Sequence, residues 1–73
     1  MITLFNDNIA LDDIEMFSGN EATMMGVVRL KAATVADVSK GDRIFYPKTK
    51  SRTMRYNHKQ YVLIKFSDID GKL

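Results

Sequence analysis

The chain has 73 residues, 45% of them apolar and 27% charged, with no cysteine and a single histidine. A chain this short forms one domain, spanning residues 1–73, and buries only about 60–65% of its unfolded surface, so partner subunits would add much to its stability. The lack of thiols excludes disulfides and thiolate metal sites, and no apolar run approaches the ~20 residues of a membrane span.

No positively charged segment precedes an apolar core at the N-terminus, so no secretory signal is expected. The cytoplasm is the simplest location, or the host cytoplasm and the virion if the product is viral. The net charge is +2 but unevenly spread. Residues 1–25 carry five acids and no Lys or Arg, whereas residues 26–73 carry eleven cations and four acids. That division fits a folded barrel whose halves neutralise one another, head-to-tail association of identical chains, or a basic face for an anionic partner.

In chain order, residues 1–5 are a short apolar start and Ile9-Ala10-Leu11 a short strand. Asp12-Asp13 is expected to end that strand, since adjacent acids suit strands poorly. Residues 14–25 hold the loop signal Ser18-Gly19-Asn20, yet also the apolar Ile14, Met16, Phe17, Met24 and Met25. Gly26 opens a strand in which Val28, Leu30 and Ala32 alternate with Val27, Arg29 and Lys31. Residues 34–40 are a short connection, and a Gly41-Asp42 turn leads into Ile44-Phe45-Tyr46, which Pro47 ends by removing a ladder donor.

A basic segment, residues 48–53, precedes two strand-like runs, Met54-Arg55-Tyr56 and residues 61–66, joined around Asn57-His58. This spacing predicts a β-hairpin, because Asn tolerates the left-handed conformation at the turn. His58 suits the second corner less well than Gly, so a longer, bulged turn is expected. Val62, Ile64 and Phe66 share one face of the last strand, and Ser67-Asp68-Ile69 reads as a turn. Five or six short strands without a long helix predict an all-β fold, a small antiparallel β-barrel. Its expected core is Leu4, Ile9, Leu11, Val28, Leu30, Ile44, Tyr46, Met54, Tyr56, Val62, Ile64 and Ile69.

Little in this sequence points to catalysis. His58 has no second histidine to work with and lies on a turn. Asp12, Asp13 and Glu15, or Asp68 and Asp70, fall short of the six to eight oxygens of a calcium loop. No glycine-rich phosphate loop precedes Lys50-Ser51. No enzyme, metal or cofactor is therefore expected. The one chemically suggestive patch is Lys48, Lys50, Arg52, Arg55 and Lys59 with nearby tyrosines, a pattern that can pair phosphates and stack bases. Tyr46 and Tyr56 are expected on the inward face, which makes a solvated basic loop the better reading and nucleic acid the disfavoured partner.

The order and spacing of several segments resemble the GroES family, the ring-shaped lids of chaperonins. Gly41-Asp42-Arg43, the run Ile44 to Lys48, the strand Met54 to Tyr56, the Asn57-His58 turn, Tyr61 to Ile64 and Ser67-Asp68-Ile69 match its C-terminal half. Residues 6–11, Asn-Asp-Asn-Ile-Ala-Leu, resemble its opening strand, and Gly26 to Leu30 its second. The resemblance implies a GroES-like barrel in a homo-oligomeric ring, a heptamer if it follows the family, that caps or modulates a chaperonin.

It also implies a mobile loop that docks through a small apolar tripeptide. No such tripeptide stands in residues 14–25, where Met16-Phe17 or Met24-Met25 would substitute, Met being adaptable to irregular grooves. This loop is shorter than the family's, and the roof hairpin the family inserts between Leu30 and Gly41 is absent. A reduced lid of this kind leaves open a structural alternative: the same barrel as an assembly protein, such as a small virion or decoration component.

Overall fold

Alternating polarity turns into pairing most directly near the C-terminus. The computed structural model describes residues 2–17 and 19–73, and of residues 20 and 21 the backbone alone. Met1 of the apolar start and Ser18 of the expected loop lie outside the described residues. Strand β4 (Arg52–Tyr56) runs antiparallel to β5 (Lys59–Lys65), with Tyr56 opposite Lys59. Asn57 and His58 both take left-handed backbone angles, φ 55° and 67°. The turn is therefore a tight two-residue one, not the bulged turn expected, because its twist suits the flanking strands even with His at the second corner.

That turn length decides which side chains face inward. With Met54 opposite Tyr61, Met54 and Tyr56 fall on the face of Tyr61 and Leu63 instead of that of Val62 and Ile64. A one-residue register change flips every side chain to the other face. Tyr56 is consequently exposed, and neither it nor Met54 belongs to the core, contrary to expectation.

Two long strands supply the centre of the sheet: β1 (Asn8–Phe17) and β2 (Asn20–Lys31), antiparallel to each other. Residues 14–17 and 20–25 are thus strand and not loop. Asp12-Asp13 does not stop β1. The register shifts between Asp12 and Glu15, and Asp13 adopts φ 51°, a bulge that lets the strand continue past two acids. Gly26 sits mid-strand, where a Cβ would lie 2.6 Å from Ile14 Cδ1, so the close crossing of β1 over β2 favours glycine.

Strands β3 (Arg43–Pro47) and β6 (Gly71–Lys72) complete one six-stranded sheet in the order β4-β5-β1-β2-β3-β6. Single-turn 3₁₀ segments at Lys48–Lys50 and Phe66–Asp68 link β3 to β4 and β5 to β6. The all-β antiparallel fold is as expected. Closure into a barrel is not: among the described residues the edge strands β4 and β6 do not pair, so the sheet stays open. A barrel needs matched strands at the seam, and a two-residue β6 is too short to span the five-residue β4.

The curled inner face buries Ile9, Leu11, Val28, Ile44, Tyr46 and Ile64, with Leu4, Val62, Phe66 and Ile69 packed against them. Leu30 of the expected core is only half-buried. Residues 34–40, expected as a mere connection, bury Val35 and Val38 against the core, next to the buried Ala32. Gly41, at φ 95°, makes the return: its N–H donates to the Val28 carbonyl, and the Asp42 carbonyl accepts from the Val28 N–H.

Candidate functional site

The four apolar residues expected to meet a partner lie at the free end of the β1–β2 hairpin, but they divide between its faces. Met16 is opposite Met24, and Met24 opposite Tyr46, which places these two on the inner face. Met24 packs against the core, while Met16, farther out, is 50% exposed. Ile14, Met16 and Met24, with Glu15 and Lys48, line an open depression there.

Met25 is opposite Phe45 on the outer face, and the Phe17 ring stacks on Phe45 with centroids 5.0 Å apart. Phe45 in turn covers Gly71, where a Cβ would come within 2.7 Å of the ring. The arrangement joins β1, β3 and β6 through one aromatic pair. Met16 is thus the most available apolar side chain of the set, and Phe17, Met24 and Met25 are partly engaged within the fold.

The basic residues are likewise separated. Lys48 and Lys50 lie exposed on the 3₁₀ turn, and Arg52 and Arg55 point to opposite faces of β4. Arg52 Nη2 donates to Asn8 Oδ1 at 3.4 Å. Lys59 Nζ donates to Asp12 Oδ2 at 2.7 Å and lies over the Tyr61 ring, 5.4 Å from its centroid.

Asp12 is 5% exposed and also accepts from Arg29 Nε at 2.6 Å, while Arg29 Nη2 reaches Asp13 Oδ2 at 3.1 Å. Burial pushes the Asp12 carboxyl up, but the Lys59 and Arg29 hydrogen bonds outweigh it and hold it below its ordinary range. Two acids weighed as cation ligands are thus bound to the chain's own cations. Among the described residues no three His, Cys, Asp or Glu side chains converge.

The pattern of strands and turns finds a counterpart among known families. The family model of the Chaperonin 10 Kd subunit matches residues 18–73, from the end of the β1–β2 hairpin through β6. The chain belongs to this family. It is the GroES family, whose members generally form rings, partner with chaperonins and carry out no catalysis. No curated protein matches the chain significantly. For this GroES-family chain the hairpin end is the candidate docking element, since it holds the exposed Met16.

Proposed function

We propose that this chain is a co-chaperonin-like ring protein that caps or modulates a chaperonin without chemistry of its own. It docks through the end of the β1–β2 hairpin, Met16 leading and Phe17, Met24 and Met25 supporting. The observation that carries this reading is Met16, half exposed at the hairpin end of a GroES-family chain. A thioether on a flexible stem adapts to an apolar groove, and small interfaces depend on few anchors. The ring, a heptamer if it follows the family, is homo-oligomeric, and the cytoplasm is its place of action. The basic residues Lys48, Lys50, Arg52, Arg55 and Lys59 have no part in docking.

The test is to mix the protein with a chaperonin and nucleotide and look for co-migration on gel filtration. Met16→Ala is expected to abolish the complex while leaving the melting temperature nearly unchanged. A complex that survives Met16→Ala, or none with the unaltered chain, would overturn the reading.

A second reading, the assembly protein of a virion or similar structure, is favoured by one observation: Phe17 and Met24 are partly spent on Phe45 and the core. It predicts a stable oligomer that ignores chaperonin.

A further inference from the structure

The outer face of the β4–β5 hairpin has a composition that the docking reading does not use. Because β4 and β5 join through a two-residue turn, Arg52, Met54 and Tyr56 of β4 share one face with Lys59, Tyr61 and Leu63 of β5. Contacts agree with this placement: Arg52 reaches Asn8, and Lys59 reaches across Tyr61 to Asp12. Tyr56, at 37% exposure, presents its ring to solvent instead of to the core.

Charge on this part of the chain is one-sided. From Arg43 to Ser67 there are seven cations and no acid. Among the described residues only Lys59 of these seven has an ion pair. Asp12 pairs with Arg29 and Lys59, and Asp7 accepts from the Ser67 N–H, so among the described residues Arg52 and Lys65 have no carboxylate at ion-pair distance. The face is a positive surface with aromatic rings set among cations, which suits an anionic partner.

We infer that the outer face of the β4–β5 hairpin binds single-stranded nucleic acid, Tyr56 stacking a base and Arg52 and Lys65 pairing backbone phosphates. An unpaired base offers a π-face to any exposed ring, and a two-stranded platform leaves the backbone within reach of flanking cations. Lys59, paired with Asp12, lies over the Tyr61 ring on the same platform, which leaves Tyr56 as the ring open to a base. With Arg52 and Lys65 on phosphates and Tyr56 on a π-face, the base edges go unread and binding is independent of sequence.

The experiment uses the full chain and a fluorescein-labelled single strand of about 15 nucleotides, in DNA and RNA forms, followed by anisotropy. Binding at about 50 mM salt is expected, weakening as salt rises with a log–log slope of roughly 0.7 for each phosphate neutralised. Arg52→Gln and Lys65→Gln should each reduce that slope by about 0.7. Tyr56→Ala should weaken binding roughly 5- to 150-fold at unchanged slope, as loss of one stacked base requires. Tyr56→Leu, which keeps apolar bulk, should weaken it comparably, whereas Tyr56→Phe should not. Circular dichroism checks that each variant remains folded.

No binding at low salt would overturn the inference. So would binding indifferent to both Tyr56→Ala and Tyr56→Leu, or duplex DNA binding as tightly as single strands, since each signals mere attraction to polyanions. Equal affinity for poly-glutamate would point to an acidic protein partner and overturn it as well.

Discussion

The Asp12 carboxylate accepts from two cations on opposite sides of β1, Arg29 of β2 and Lys59 of β5. It therefore ties the first hairpin to the last, at the bulge where β1 passes two adjacent acids. Its carboxyl is held below the ordinary value near 3.8, so the folded state binds its proton more weakly than the unfolded chain does. The resulting stability is fully present above about pH 4 and is lost as pH falls through the lower, folded value. Asp12→Asn should cost about 1–3 kcal/mol in urea unfolding at pH 7. It should also flatten the acid side of the stability profile, checked by repeating the titration near pH 3. An unchanged acid limb would mean that other carboxylates, Asp7 or Asp42, set it.

At the level of elements, the β1–β2 hairpin carries both the largest departure from expectation and the docking proposal. Met16 and Met24 are cross-strand neighbours that differ in what lies beneath them. Met24→Ala removes contacts with the core and should lower stability by about 2 kcal/mol, at the lower end for such truncations because the side chain is only half-buried. Met16→Ala should change it by less than about 0.5 kcal/mol, as exposed substitutions do. Thermal melts of the two variants side by side test this difference.

The β4–β5 hairpin was legible because Val62, Ile64 and Phe66 alternate and Asn57 tolerates a positive φ. Its facing was not, because a turn with one more residue would have set Met54 opposite Val62 and turned Tyr56 inward. Residues 14–17 and 20–25 resisted reading for a different reason. A bulge at Asp13 breaks the alternation, and the ion pairs that make Asp12 tolerable come from residues 17 and 47 positions away. Val35 and Val38 gave no periodic signal at all, being single apolar residues on an irregular segment that the sheet needs as a cover.

For the molecule as a whole, β4 and β6 are the edges of the open sheet, and among the described residues no strand pairs with their outer sides. Phe5 is 72% exposed and Leu73 69%, at either end of the chain's path over the core. A small core, two open edges and exposed apolar ends together favour self-association. Light scattering at tens of micromolar is expected to give a multiple of the 8.3 kDa chain mass. A monomer would count against the ring, and with it against docking through several hairpins at once.

The strand order has a bearing on how this chain is made. β1 lies between β5 and β2, so Asn8 must wait for Lys65 before its second edge is covered. Translation delivers β1 and β2 early, yet the partner that completes β1 comes some fifty residues later. In that interval Ile9 and Leu11 lack their partners Ile64 and Val62, and an uncovered edge can recruit another nascent copy. Pairings this distant also close slowly, in the millisecond-to-second range of sheet proteins. A ribosome stalled before residue 59 would hold a chain with its centre strand exposed and no means of burying it.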